Sequence, residues 1–155
     1  MDNTRFARKM FEIATRVAET RKVNPVIMAC QGILESGYGR SLLSTKANNL
    51  FGIKAGRSWK GLVYNIKTRE FDSEKGWYVI LAPFRMYKDW EECFNDYASI
   101  IERLSWYRDA VENCHDPVKY LDGILPTNRE PGWATDPSYR EKILNIAKRF
   151  GWLNN

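Results

Sequence analysis

One carboxylate in this sequence stands where its proton would be held. Glu35, in the stretch Gln31-Gly32-Ile33-Leu34-Glu35-Ser36-Gly37-Tyr38-Gly39-Arg40, closes an apolar segment just ahead of two glycines. The C-terminal end of a helix carries partial negative charge and disfavours a carboxylate. Burial beside Ile33 and Leu34 disfavours the ionised form as well. A carboxyl group kept protonated near neutral pH is what a general acid needs to protonate a poor leaving group such as a sugar oxygen. The competing reading is a helix-end Glu in solvent, paired with Arg40 or Lys46.

The elements that must position this group follow from capping and periodicity. Asn24-Pro25 has the form of an N-cap followed by proline at the first helical position. Val26, Ile27, Met28, Ala29, Cys30, Ile33 and Leu34 leave almost no polar face, so the helix that starts there is expected to be buried on most sides. Gly37 or Gly39 would end it in the left-handed conformation. Before it, Asn3 or Thr4 can cap a helix with Phe6, Met10, Ile13 and Val17 on one face. After it, Ser41 to Lys46 predicts one or two helical turns, and Asn48-Asn49 a break.

Between Leu62 and Phe71, and again between Trp77 and Leu81, β-branched and aromatic residues predict strands, with turn chemistry in Asp72-Ser73-Glu74-Lys75-Gly76. This is a hairpin or three-stranded flap, with Pro83 expected at a strand end. Asp89-Trp90-Glu91-Glu92 is a capping box ahead of the stripe Cys93, Phe94, Tyr97, Ile100, Ile101 and Leu104. A helix is predicted from Trp106 to Cys114. Two more are predicted to open at Asp116-Pro117 and Asp136-Pro137, the last ending at Gly151, with a loop over 126–132.

The Glu35-Ser36-Gly37-Tyr38-Gly39-Arg40-Ser41 block, followed by Asn48-Asn49-Leu50-Phe51-Gly52-Ile53-Lys54, resembles the bacterial glucosaminidase family typified by flagellar peptidoglycan hydrolase domains and many autolysins. More distantly it resembles goose-type lysozymes and lytic transglycosylases. Phe84-Arg85-Met86-Tyr87 and Ala134-Thr135-Asp136-Pro137-Ser138-Tyr139 look like later blocks of the same family, in the same order; Trp133 departs from the Tyr usual before the last. The resemblance implies an α+β, mainly α-helical, lysozyme-like domain over residues 1–155, with a small β-hairpin flap beside the active-site cleft. It implies cleavage of peptidoglycan glycan strands as an endo-β-N-acetylglucosaminidase, with Glu35 as general acid.

A second carboxylate acts in most glycosidases as base or nucleophile. Glu70 is the candidate, because Thr68-Arg69-Glu70-Phe71 resembles the segment carrying the family's second acidic residue; Asp72, Glu74 and Asp89 are alternatives. The acetamido oxygen of an N-acetylated sugar offers another route, in which Tyr139 or Asn49 would orient the acetamido group. Six Trp and eight Tyr supply flat faces for sugar rings, and Tyr38, Phe51, Tyr64, Tyr87, Trp133 and Tyr139 are candidates to line the cleft. Arg85 would either bind a stem-peptide carboxylate or lactyl group, or hold the flap through a buried ion pair. Rival readings are a muramidase or lytic transglycosylase, and an inactive wall-binding or assembly protein.

Composition narrows the field further. The chain has 155 residues, 44% hydrophobic and 28% charged, which suits one globular domain. Its net charge of +5 favours an anionic partner, but the basic residues are spread along the chain, against a nucleic-acid reading. Cys30, Cys93 and Cys114 fit no zinc or redox spacing, and His115 is the only histidine, so no metal or organic cofactor is expected. No stretch is long and apolar enough for stable membrane insertion, and the N-terminus lacks the apolar core of a secretory signal. The expectation is a monomer made in the cytoplasm that reaches the wall after release, as a phage endolysin or an injected effector.

Overall fold

The computed structural model describes residues 1–153, and at Glu70 the backbone but not the side chain. Its centre is helix α2 (Pro25–Ser36). The Asn24 side chain caps it by accepting from the Ile27 N–H at 3.1 Å, and Gly37 closes it at φ 56°, a conformation that costs a residue without Cβ little. Ile27, Met28, Ala29, Cys30, Gln31 and Ile33 have no accessible surface. Burying each large apolar side chain of this kind is worth about 1.5–3 kcal/mol, so α2 is held by what surrounds it rather than by helix propensity.

Three helices pack directly on α2: α1 (Asn3–Ala18), α6 (Pro117–Ile124) and α7 (Tyr139–Arg149). Helix α1 presents Phe6, Met10, Ile13 and Val17, and α7 presents Tyr139, Ile143 and Ala147. Helix α4 (Trp90–Arg103) adds Cys93, Phe94, Tyr97, Ala98 and Ile101, and its predicted cap holds, with Asp89 accepting from the Glu92 N–H at 2.8 Å. Short helices α3 (Leu42–Ala47) and α5 (Arg108–Glu112) complete the helical side. The three cysteines are free and buried, and burial pushes the Cys30 and Cys93 thiols up to about 12. Among the described residues, no helix is long and apolar enough to cross a membrane.

Strands β1 (Val63–Asp72) and β2 (Gly76–Arg85) form one antiparallel hairpin with ten paired positions, from Val63 opposite Arg85 to Asp72 opposite Gly76. Asp72 organises the tip, accepting from the N–H groups of Glu74 and Lys75 at 2.7 and 3.0 Å. At the other end Ala82 and Phe84 are buried, and Lys54 adds a single bridge opposite Phe84. The fold is thus α+β, mostly helical, with a small antiparallel hairpin beside the helical core.

Four local expectations are corrected. Asp2, not Asn3 or Thr4, caps α1, accepting from the Arg5 N–H at 2.8 Å. The stretch predicted as one helix from Trp106 to Cys114 is a 3-10 turn (Ser105–Tyr107) running into the five-residue α5. Asp136-Pro137 does not open α7: Asp136 folds into a local turn on the Ser138 N–H at 2.8 Å, and the helix starts at Tyr139. Pro83 lies inside β2, not at its end. Its carbonyl accepts from Ala55 N–H at 2.9 Å, so its missing donor faces that segment and costs β1 no ladder bond.

Candidate active site

A cleft of roughly 630 Å3 opens at the C-terminal end of α2. Leu34 and Glu35 come from α2, Phe51 to Ile53 from the loop after α3, Ile100 from α4, Trp133 to Asp136 from the loop before α7, and Tyr139 and Lys142 from α7. Glu35 is the penultimate residue of its helix and opens to the cleft, while Ile33 two residues earlier is wholly buried. Glu35 is exposed on the cleft side, yet the cleft walls desolvate its carboxyl group enough to raise its pKa above the usual carboxylate value. The nearby Tyr139 hydroxyl, on the same cleft wall, opposes that shift by favouring the carboxylate.

The floor and one wall of the cleft are aromatic. Phe51 lies edge-on to Phe94 with ring centres 5.0 Å apart and leans on Tyr97 at 4.7 Å. Trp133 packs against the same Tyr97 at 4.9 Å. Trp133 is held by its backbone, whose N–H donates to the Ile124 carbonyl at 2.8 Å. A Cβ at Gly132 would come within 2.1 Å of the Pro126 nitrogen, so only glycine lets the 126–133 loop close this tightly. On the rim, Lys142 and Asp136 pair at 2.7 Å.

A family model described as "Glucosaminidase: Mannosyl-glycoprotein endo-beta-N-acetylglucosaminidase" matches residues 11–151. The chain belongs to the glucosaminidase family. It is 31% identical over 148 residues to the peptidoglycan hydrolase FlgJ of Pseudomonas aeruginosa, which covers 93% of this chain and 36% of that protein. It is 35% identical over 133 residues to the exo-glucosaminidase LytG of Bacillus subtilis, covering 85% of this chain and 46% of that one. The chain therefore spans between a third and a half of these curated relatives. Among solved structures, the catalytic domain of the autolysin Auto from Listeria monocytogenes superposes with a TM-score of 0.81 at 29% identity, covering 97% of this chain and 85% of that one. These matches show the family, and the solved autolysin domain shows that the fold is shared over almost the whole chain.

Within this glucosaminidase cleft stand four of the residues predicted from sequence: Glu35, Phe51, Trp133 and Tyr139. Among the described side chains, the others lie elsewhere. Tyr38, at φ 58°, turns toward α1 and α7, where its hydroxyl accepts from Arg149 Nη1 at 2.9 Å and its ring meets Phe6 and Phe150 edge-on. Asn49 is 1% exposed and its amide is fully engaged: Nδ2 donates to the Ile53 and Arg85 carbonyls, each at 2.9 Å, and Oδ1 accepts from the Ile53 N–H. It shapes the loop that carries Phe51 and ties that loop to the root of the hairpin.

Arg85 and Tyr87 meet at Asp96. The Arg85 guanidinium donates to Asp96 Oδ2 at 2.9 Å and to the Lys54 carbonyl at 3.0 Å, and lies 4.8 Å over the Trp59 ring. The Tyr87 hydroxyl donates to the same Asp96 oxygen. The ion pair expected of Arg85 at the flap is thus present, at the root of the hairpin. Glu70 pairs through its backbone with Tyr78 on the hairpin, and its side chain lies outside the described residues. Among the described residues no hairpin residue lines the cleft, Tyr64 included.

Sequence reasoning passed over Gln31 and gave Tyr97 only a packing role. Both are fully buried, and they are joined, with the Tyr97 hydroxyl donating to Gln31 Oε1 and Gln31 Nε2 donating to the Tyr139 hydroxyl at 3.0 Å. The available signal was the amide itself, the one long polar side chain in the apolar run from Val26 to Leu34. A buried amide has to find partners.

Proposed function

We propose that this chain is an endo-β-N-acetylglucosaminidase, one catalytic domain that cleaves the β-1,4 bond after N-acetylglucosamine in peptidoglycan glycan strands. The observation that carries the reading is Glu35, set at the end of a buried helix, opening into an aromatic-walled cleft and disposed by desolvation to keep its proton. Glu35 donates that proton to the glycosidic oxygen as the C–O bond breaks. Phe51 and Trp133 pack against sugar faces. The charge that develops on the anomeric carbon is met by one of two routes. In the first, Glu70 activates water or attacks directly; in the second, the substrate's own acetamido oxygen attacks, oriented by the Tyr139 hydroxyl. The reading takes the chain to act as a monomer. The three buried free thiols suit a protein made in a reducing compartment and released to the wall, as in phage lysis or injection.

The test is digestion of purified cell wall. Glu35→Gln keeps size and hydrogen bonding but removes the titrating proton, and wall lysis should fall by about a hundredfold or more with melting unchanged. A variant that melts like wild type and lyses at a similar rate removes Glu35 from its role. For Glu70→Ala, lost activity that added azide restores supports the carboxylate route, and full activity supports the acetamido route. Mass spectrometry of reduced products separates the linkage: N-acetylglucosamine at the new reducing end for this proposal, N-acetylmuramic acid or its anhydro form for a muramidase or transglycosylase. Since one relative is named an exo-glucosaminidase, the same spectra also tell strand fragments from single sugars.

A further inference from the structure

Behind the cleft, four polar side chains stand in a row through the apolar interior: Tyr120 on α6, Tyr97 on α4, Gln31 on α2 and Tyr139 on α7. Tyr120, Tyr97 and Gln31 have no accessible surface, and Tyr139 is 3% exposed. The Tyr120 and Tyr97 hydroxyls are 2.8 Å apart, Tyr97 donates to Gln31 Oε1, and Gln31 Nε2 donates to the Tyr139 oxygen at 3.0 Å. The row opens at its far end into the cleft, whose lining Tyr139 shares with Glu35.

Such a row can in principle run in either direction, because hydroxyls rotate and an amide can turn over. Its closed end decides. Tyr120 makes no other side-chain hydrogen bond among the described residues. A buried O–H has to donate. Tyr120 therefore gives its proton to Tyr97, the single Tyr97 proton goes to Gln31 Oε1, and the amide N–H must face Tyr139. With its oxygen occupied from behind, Tyr139 directs its own proton forward to Glu35. The reversed row would strand the Tyr120 proton and turn the Tyr139 proton back onto Gln31. We infer that Tyr120, Tyr97 and Gln31 are positioning residues whose hydrogen-bond direction fixes Tyr139 as a donor to Glu35.

The inference rests on Glu35 being the general acid. Once Glu35 has given its proton to the leaving oxygen, it is a carboxylate, and a donor already polarised from behind stabilises it best. Tyr139 keeps its proton throughout, since burial first and the neighbouring Glu35 second hold its phenol well above the usual range. Of the other described groups sharing the cleft with Glu35, only Asp136 and Lys142 carry charge, and they pair with each other; the faces from α4 and the 51–53 loop are uncharged.

Two variants that remove one oxygen each, Tyr120→Phe and Tyr97→Phe, test this on the full chain. Glu35 titration is followed by carbon NMR of labelled glutamate carboxyls, its signal being the one missing from Glu35→Gln, and in parallel by the pH profile of wall digestion. Without the directed donor the protonated acid is favoured, so the Glu35 titration and the alkaline limb of the profile should move to higher pH together, by roughly half a pH unit or more. Tyr139→Phe, which removes the donor itself, should move the titration at least as far. Ile143→Val, a loss of buried volume on α7 without a polar group, should leave it in place. Folded Tyr120→Phe and Tyr97→Phe proteins that melt lower yet titrate as wild type would reduce the row to packing. If only one of the two folds, its titration decides. Undiminished wall digestion by Glu35→Gln would remove the acid assignment, while the NMR titration still decides whether the row directs Tyr139.

Discussion

Helix α2 and strand β2 are of similar length and both rich in apolar residues, yet they meet water in opposite ways. Along α2 the large side chains from Ile27 to Ile33 are sealed in. Along β2, Trp77, Val79 and Leu81 are exposed by 64, 61 and 62%, and Phe71 across from Trp77 by 62%. Only the last residues of the strand, beginning with Ala82, enter the core. The contrast separates two kinds of constraint. The helix sequence answers to packing, and the carboxyl group at its end inherits a fixed environment. The outer half of the hairpin stabilises little, so the folded core does not account for its apolar residues; exposed clusters of this kind mark contact surfaces.

Substitutions can break or sharpen this contrast. The largest stability loss should come from the buried side. Phe94→Ala removes a ring with no accessible surface that packs on Phe51 and faces Gly32, and should cost about 3–5 kcal/mol in chemical denaturation. A loss under about 1 kcal/mol would mean that the floor of the cleft is not a packed core. Next comes the root of the hairpin. Asp96→Ala leaves the mostly buried Arg85 unpaired and deprives Tyr87 of its acceptor; roughly 3 kcal/mol should be lost, and wall digestion should fall with it. The smallest stability effect belongs to the tip. Trp77→Ser should stay within about 0.5 kcal/mol of wild type, because the residue it replaces is mostly in water. Its readout is binding to cell wall, where weakened retention at unchanged stability would assign the exposed face to substrate. Equal retention would not.

The elements legible in the sequence were those whose signals are local. Asn24-Pro25 and Gly37 bound α2, and Asp89 bounds the start of α4, because a cap acts within three residues of itself. The hairpin was legible for a similar reason, with turn chemistry at Asp72 and β-branched runs on both sides. Misreadings came where two local devices compete: Asp136 is an equally good helix cap and turn former, and the turn won. Glu35, Phe51, Trp133 and Tyr139, picked from family-like blocks, line the cleft, but the same blocks also carry residues that build the cleft without facing it. Asn49 and Arg85 have the chemistry of ligands, and it is spent on backbone carbonyls and on Asp96. What sequence could not supply was the row from Tyr120 to Tyr139, whose members lie on four different helices and meet only after the helices pack.

Among the described residues, the fastenings of the hairpin lie at one end: the Asn49 amide on the Arg85 carbonyl, the Lys54 bridge, and the ion pair of Arg85 with Asp96. Mechanically that makes it a cantilever. A ten-residue strand reaches about 30 Å, so a rotation of about 10° at the root would sweep the Phe71 and Trp77 tip through about 5 Å. Small adjustments of a few hydrogen bonds beside the loop that carries Phe51 are thereby geared up into large changes in how far the tip stands from the helical side.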